Sequence, residues 1–375
     1  MHLEWLRLKD FRNISEAHLT FSPGLNRIVG ANGQGKSNLL EAVALLANGR
    51  SYRKASAAVM RRWDQPWFRV HGVARAGGMR RTLDVIGESG RQVFRLDDKP
   101  VESVSGMERI LVAVVVTPES ALLARGAPVE RRAFLDWVIF SADRRHGVES
   151  REYQIAARAR QQVLRGAGDP RELEAWEAQL ARLGARIGQR RQWAMGHLAR
   201  GLPDHLEQLG LDPDLCVVAL VGESADTCAR EGEVERVEAA LREAFIRART
   251  RDRETGQTGV GPQRDDLELR LSGHLVARYG SRGQQQRFAL ALKLAEAGWL
   301  EEIIGEAPLM VLDDPAAELD PEGARALMRV LFGRGRQVFV AAPVADGLVW
   351  SGGSGDAVVE EVGFSVTEGV FTKVV

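Results

Sequence analysis

At 375 residues and 41.2 kDa the chain is long enough for two to three domains with sizeable buried cores. Hydrophobic residues at 45% and charged residues at 27% exclude a largely disordered or fibrous chain, and Lys+Arg 51 against Asp+Glu 51 removes any argument from net charge about an acidic partner. The longest apolar run, residues 110–116, is too short to cross a bilayer, so no membrane role is expected. The N-terminus carries charges where a secretion signal needs an apolar stretch, and the expected location is the cytoplasm. Cys216 and Cys228 have neither the number nor the spacing for a disulfide framework or a zinc site.

Three short, partly alternating segments open the chain, HLEWLRL, SEAHLTF and LNRIV, with FRN and SPG as turns, and they predict strands. A glycine-rich loop follows, and then KSNLLEAVALLAN, whose Leu39, Leu40, Val43, Leu46 and Ala47 form the stripe of a helix packed on a sheet. Residues 50–81 carry nine basic side chains, among them Arg50, Arg53, Arg61 and Arg62, against one acid, Asp64. That local balance of +8 predicts a phosphate-binding surface. Short strands return in WFRVHGVA, RTLDVIG and QVFRL, and ILVAVVV at 110–116 predicts a buried strand.

After Thr117-Pro118 the composition shifts to Arg, Glu, Ala, Leu and Gln with helical periodicity, interrupted by GAGDP at 166–170 and by a predicted strand, LCVVALV, at 215–221. Within this stretch Arg182, Arg186, Arg190 and Arg191 share a helical spacing, which suits either a solvated face or a second nucleic-acid contact. From Gly261 strands and helices alternate again. The predicted architecture is α/β: a head built from both termini, residues 1–118 and 261–375, with a mainly helical arm, residues 119–260, inserted between them.

Three motifs carry chemistry. Gly30-Ala31-Asn32-Gly33-Gln34-Gly35-Lys36-Ser37, followed by Asn38, matches the phosphate-binding loop GxxxxGK[ST] directly after a predicted strand and before a predicted helix. Its backbone N–H groups and the helix N-terminus cradle phosphates, Lys36 bridges the β- and γ-phosphates, and Ser37 ligates Mg²⁺. Leu309-Met310-Val311-Leu312-Asp313-Asp314 reads as a buried parallel strand delivering two carboxylates to its C-terminal edge, Asp313 for Mg²⁺ and Asp314 to polarise the attacking water. Ser281-Arg282-Gly283-Gln284 has the spacing of a capping box at the start of a long helix. It also resembles the signature of ABC-type ATPases, in which Ser281, Gly283 and Gln284 would reach, in trans, the γ-phosphate held by a second subunit. In the same comparison Asp320 falls in the D-loop at the dimer seam.

The order of these segments over nearly the whole chain narrows the resemblance. A strand-FRN-strand start, GANGQGKSNLLEA, GRSYR, VVTPESALLARGAPVERRAFLD, GPQRDDL, YGSRGQQQRFALALKLAE and VLDDPAAELD together resemble the RecF family, bacterial DNA-repair ATPases related to SMC proteins but without their long coiled coils. The resemblance implies an SMC-like ABC ATPase head with a helical arm, weak ATP hydrolysis with ATP and Mg²⁺ as cofactors, and an ATP-dependent homodimer. That dimer would bind double-stranded and gapped DNA, in DNA replication, repair and the SOS response to DNA damage. The implied partners are RecR and RecO in loading RecA. It also makes Arg12 and Asn13 candidate nucleotide contacts. Family members usually have His where this chain has Gln263, an acid where it has Ser120, and a polar γ-phosphate sensor where it has Ala341-Ala342-Pro343; no clear Q-loop glutamine is present either. These departures predict slow hydrolysis with ATP binding intact. The alternatives are a transporter-type nucleotide-binding subunit without a DNA role, and an ATP-gated nuclease, against which stands the lack of a further acidic cluster for catalytic metals.

Overall fold

The structure, a computed structural model, describes residues 1–88, 90–101, 110–166, 169–315, 319–332, 335–343 and 360–374. Its strands are β1 (His2–Phe11), β2 (Ile14–Thr20), β3 (Leu25–Val29), β4 (Trp67–Ala76), β5 (Met79–Glu88), β6 (Arg91–Leu96), β7 (Lys99–Val101), β8 (Ala113–Val116), β9 (Cys216–Val221), β10 (Asp266–Leu271), β11 (His274–Leu275), β12 (Leu309–Asp313), β13 (Val338–Ala342), β14 (Glu361–Thr367) and β15 (Val370–Val374). The helices are α1 (Lys36–Asn48), α2 (Ala57–Met60), α3 (Leu122–Arg125), α4 (Pro128–Ala142), α5 (Arg145–Arg165), α6 (Pro170–Gln208), α7 (Glu223–Glu231), α8 (Val234–Thr255), α9 (Val276–Tyr279), α10 (Arg282–Ile304) and α11 (Pro321–Phe332). The chain divides into two compact units, one of residues Met1–Ala121, Gln208–Gly210 and Gln286–Val375 and one of Leu122–Glu207 and Leu211–Gln285.

The first unit holds two six-stranded sheets. One, in the order β2-β1-β4-β5-β6-β7, is antiparallel throughout. The other, β15-β14-β3-β13-β12-β8, is parallel except for its β15 edge and places β3 between β14 and β13. Helix α1 packs against strands of both sheets, β8, β12 and β13 of one and β1, β4 and β5 of the other. The predicted single apolar stripe therefore understates its burial: Ala42, Ala44 and Leu45 are buried along with the stripe residues. Each fully buried leucine of this helix contributes about 1.5–3 kcal/mol relative to an exposed one. Polar side chains substitute for backbone where the pieces meet. Asn48 pairs its amide with both Ala113 O (2.8 Å) and Ala113 N (3.0 Å) at the start of β8. Gln337, just before β13, accepts from Leu3 N (2.7 Å) and donates to Leu3 O (2.9 Å) and Ser22 O (2.7 Å), which joins the two sheets. The predicted strand at 110–116 is shorter than expected. β8 begins at Ala113, because its partner among the described residues, β12, offers Leu309–Leu312 for pairing.

The second unit is mainly helical around Tyr153, Leu180, Leu183, Ile187, Leu241 and Phe245. It also contains an antiparallel sheet in the order β11-β10-β9. Residues 261–285, which the sequence assigned to the head, belong here by their contacts. The physical reason is the predicted strand at 215–221. It needs a hydrogen-bonding partner, and β10 supplies it from Asp266↔Val221 to Leu271↔Cys216. The arginine series on α6 divides: Arg182 and Arg186 are exposed, whereas Arg190 and Arg191 turn toward partners within the unit. Arg186 and Arg190 pair with Glu149, and Arg191 is buried on Asp136 (3.0 Å) and Pro262 O (2.5 Å). Arg160, fully buried, lies between Glu177 and Asp252.

Asp265 is the weak point of this polar interior. It is buried, its Oδ1 accepts from Ala225 N at 3.2 Å, and its Oδ2 has no hydrogen-bond partner, the Arg191 guanidinium standing 3.7 Å away. Burial raises its carboxyl to about 6 from 3.8, against the opposing pull of Arg191. A carboxyl raised on folding favours the protonated form, so the stability it contributes is present below about 4 and is lost as pH rises through about 6. Asp265→Asn should therefore gain stability relative to the unmodified chain between pH 4 and pH 7, measured by urea unfolding at each pH. A difference that stays constant with pH would contradict this assignment.

Candidate nucleotide site

The loop of residues 30–35 leaves the C-terminal end of β3 and turns directly into α1. Two glycines are required by geometry: a Cβ on Gly30 would lie 2.6 Å from Val366 O, and Gly35 sits at φ +120°, a region closed to other side chains, with the Asn13 amide 3.0 Å from its Cβ position. Helix α1 opens with no side-chain cap and no acid in its first turn, so its free N–H groups and the positive end of its dipole are available to an anion. Gln34 anchors the loop. Its Oε1 accepts from Glu368 N (2.6 Å), and its backbone oxygen accepts from Gly369 N (2.8 Å) and Asn13 Nδ2 (3.1 Å). Lys36 Nζ donates to Gly30 O (2.6 Å) and Ala31 O (3.0 Å). Its burial lowers the ammonium pKa, while Asp313 and Asp314 pull the other way.

Asp313, at the end of β12, meets the loop. Ser37 Oγ donates to Asp313 Oδ1 at 2.7 Å, and the single proton of Tyr52 OH is shared between Asp313 Oδ2 and Ser37 O, both at 3.1 Å. A serine hydroxyl and a carboxylate converging at the loop are hard oxygen donors suited to Mg²⁺. Among the described residues no group of three or more His, Cys, Asp or Glu could hold a metal ion, so such a cation would complete its shell with phosphate and water oxygens. Asp314 stands at φ +49°, outside the ordinary range for a side-chain-bearing residue, with its N–H on Ala341 O (3.0 Å). Partial burial and then the Asp313 charge raise its carboxyl pKa, and Lys36 opposes them. A carboxylate held in this way suits proton acceptance.

Beside the loop lies a network that the sequence reading missed. Glu41, fully buried on α1, accepts from Arg12 Nε (2.9 Å), Arg12 Nη2 (2.8 Å) and Ser51 Oγ (2.5 Å), and Arg53 Nη1 stands 3.5 Å away. Arg53 also donates to Asn38 Oδ1 (3.0 Å), and its Nη2 lies 3.8 Å from Asp313 Oδ2. The structure thus gathers Lys36, Ser37, Asn38, Asp313 and Asp314 with Tyr52 and Arg53. Asn13 is placed on the loop, donating to Gln34 O and accepting from Asn38 Nδ2 (2.8 Å), whereas the Arg12 guanidinium is occupied by Glu41 and Val59 O. Asn32 and Gly33 lie exposed on the loop itself. One signal could have found Tyr52 and Arg53: the left-handed Gly49 that ends α1 forces the chain back along the helix that carries the lysine.

Much of the +8 stretch is paired in three dimensions with acids from elsewhere in the chain. Arg62 stands 3.7 Å from Asp10, Arg69 grips Asp84, Arg75 and Arg80 share Glu4, and Arg81 pairs with Asp97. Arg61 donates to Pro66 O, and Arg50 is exposed just past α1, within electrostatic reach of Glu296. Counting charges along a sequence cannot see these partners. Arg53, expected on a DNA surface, instead reaches the nucleotide residues.

In the second unit, Ser281 and Gln284 form the expected capping box: Ser281 N donates to Gln284 Oε1 (2.8 Å) and Gln284 N to Ser281 Oγ (3.2 Å). Gly283 has open space where a Cβ would stand. Asp320, in the first unit, accepts from Gly323 N (2.7 Å) and pairs with Arg287 Nη2 (2.9 Å), which hold its carboxyl below the ordinary range; residues 316–318 of the expected D-loop lie outside the described residues. Gln263 is a packing residue, accepting from Tyr153 OH and donating to Val260 O, while Ser120 Oγ accepts from Thr117 N. Ala341 and Ala342, at the end of β13, offer no polar side chain to a γ-phosphate.

Comparison with known proteins gives three results. A family model described as an AAA domain matches residues 6–93. The chain is 45% identical over 359 residues to the DNA replication and repair protein RecF of Magnetococcus marinus, covering 94% of each. It is 36% identical over 344 residues to that of Geobacter sulfurreducens, covering 91% of this chain and 92% of the relative. Among solved structures it is similar to the recombination mediator RecF-ATP of the RecFOR pathway, with a TM-score of 0.82 at 27% identity, covering 100% of this chain and 99% of that one. The Smc head bound to the C-winged helix domain of ScpA shares the fold, with a TM-score of 0.57 at 16% identity, covering 100% and 97%.

The buried Arg12–Glu41 pair should behave as one energetic unit. Glu41→Gln and Arg12→Gln should each lower stability by about 3 kcal/mol, because each leaves a buried or part-buried partner without its counter-charge. The double variant should lose clearly less than the sum, read from urea midpoints in a double-mutant cycle. Additive losses would show that the two groups do not depend on each other.

Proposed function

Because this chain belongs to the RecF family of DNA replication and repair proteins, we propose that it is an ATP-gated dimer that binds duplex DNA near single-strand gaps and, with RecR and RecO, helps to load RecA. It is an ABC-type ATPase by family and fold. The observation that carries the reading is the convergence of Ser37 and Asp313 at 2.7 Å beside an uncapped helix N-terminus and Lys36. The proposed location is the cytoplasm, where a protein acting on DNA with RecR and RecO would work.

Bound Mg²⁺-ATP would supply a γ-phosphoryl group open to attack by water. Loop N–H groups and the α1 dipole would hold the phosphate charge, Lys36 would place its ammonium against the same oxygens, and Ser37 would ligate the metal while Asp313 holds it through water. Tyr52 orients Asp313 by its hydrogen bond. The Asp314 carboxylate accepts the proton of the attacking water, with its raised pKa bringing its basicity nearer to the task. Ser281, Gly283 and Gln284 of a second copy close the site: the capping box fixes the start of α10, so the incoming helix end is already formed. Asp320 belongs to the seam of the same dimer. With alanines at 341 and 342, no side chain there senses the γ-phosphate, which supports slow turnover. Arg50, Arg61 and Arg62 are the proposed DNA contacts, and their phosphate interactions make binding fall with salt. Arg53 is reassigned to the nucleotide side by its contacts with Asn38 and Asp313.

Lys36→Ala should abolish ATP-dependent dimerisation in sedimentation, and Asp314→Asn should retain the ATP-bound dimer while hydrolysis falls at least 100-fold, about 2.7 kcal/mol of barrier. A Lys36→Ala chain that still dimerises with ATP would refute the gating scheme. Unchanged hydrolysis in Asp314→Asn would remove that carboxylate from the chemistry.

A further inference from the structure

Trp63 is 90% exposed, the most open large apolar side chain among the described residues, and nothing in the nucleotide site uses it. Its display is built rather than incidental. The 61–66 turn is pinned to the first sheet by Arg62 N on Asp10 O (2.8 Å) and by the bridge between Arg61 and Phe11. It is closed by Gln65 N on Arg62 O (3.2 Å) and by Arg61 Nη1 on Pro66 O (3.2 Å), and Asp64 takes a left-handed φ of +62°. Just upstream, α2 is tied to Arg12 through Met60 O (2.8 Å) and Val59 O (3.0 Å). A rigid turn thus holds an indole in solvent at little further entropic cost on binding.

The neighbours decide what such an indole meets. Arg61 and Arg62 directly precede it and the exposed Asp64 follows it; Arg61 donates to Pro66 O, while Arg62, with 43% of its side chain exposed, is only loosely engaged by Asp10. An aromatic face beside cationic groups complements a polyanion that carries aromatic rings of its own, which is a nucleic acid. Inside an intact duplex every base face is covered by the next pair, and an indole could enter only by unstacking a step at a few kcal/mol, so it stacks most favourably where a base is unpaired. We propose that Trp63 stacks on an unpaired base at a strand discontinuity while Arg61 and Arg62 hold the adjoining phosphates, so that this turn distinguishes gapped from intact duplex DNA. The inference rests on the DNA-binding reading above and adds to it the residue that reads the discontinuity.

The test uses the full chain with ATP and Mg²⁺, an intact duplex, and the same duplex with a single-stranded gap whose first unpaired base is 2-aminopurine. Trp63→Ala should weaken binding to the gapped DNA about tenfold, a cost within the range of one base stacked on an aromatic side chain. Trp63→Phe should retain most of that affinity, and binding to the intact duplex should change less than twofold. The 2-aminopurine fluorescence should be quenched by the unmodified chain and not by Trp63→Ala. Equal weakening on both DNAs, no weakening on either, or quenching that survives Trp63→Ala would overturn the inference. So would a variant that binds both DNAs normally but loses association with a second copy, which would mark a protein contact instead. If the unmodified chain binds neither DNA, the DNA-binding reading itself fails, an outcome distinct from these.

Discussion

Burial of α1 between two six-stranded sheets is the constraint on which the rest of this head depends. A helix packed on one face can keep its charged residues in water; one packed against strands of both sheets cannot, and every polar group on it must find a partner inside the protein. Glu41 meets that demand through Arg12 and Ser51, Asn48 through the backbone of Ala113, and Lys36 through the carbonyls of Gly30 and Ala31. Each solution also places something functional. The Glu41 cluster brings Arg53 to within 3.8 Å of Asp313, the Asn48 amide seats the edge strand beside β12, and the lysine lies where a phosphate would replace its carbonyl partners.

Charge in this protein is settled locally and over long sequence distances. Equal numbers of acids and bases do not produce an evenly neutral surface. They allow arginines to be consumed as structural groups, as with Arg160 between Glu177 and Asp252, or Arg75 and Arg80 on Glu4. A guanidinium engaged by two or three acceptors is held in one orientation, which suits it to positioning other groups. Not every arginine is spent in this way: Arg151, Arg158, Arg242 and Arg251 are exposed, as the pair beside Trp63 is in part.

Much of the site was legible in order because its parts are local. The phosphate loop, the apolar strand ending in Asp313 and Asp314, and the Ser281–Gln284 capping box are each written in a single stretch of fewer than ten residues, and each takes the predicted backbone form. Helix α1 matches its predicted span from Lys36 to Asn48 because an uncapped glycine start and a left-handed Gly49 end it unambiguously. The boundary of the second unit was not legible, since nothing in LCVVALV states that residues 266–271 will pair with it.

The amino-acid sequence by itself determined the class of chemistry, because a loop of glycines before a lysine and a serine has its phosphate-binding geometry built into its own backbone. It likewise determined the element types wherever periodicity was strong. Only the tertiary structure decided which charges were already spent, that Tyr52 and Arg53 stand beside Asp313, and that Arg12 serves Glu41. The physical reason is range: backbone conformation follows from neighbours a few residues apart, whereas a buried charge must be answered by whichever group the fold brings within a few ångströms, at any distance along the chain.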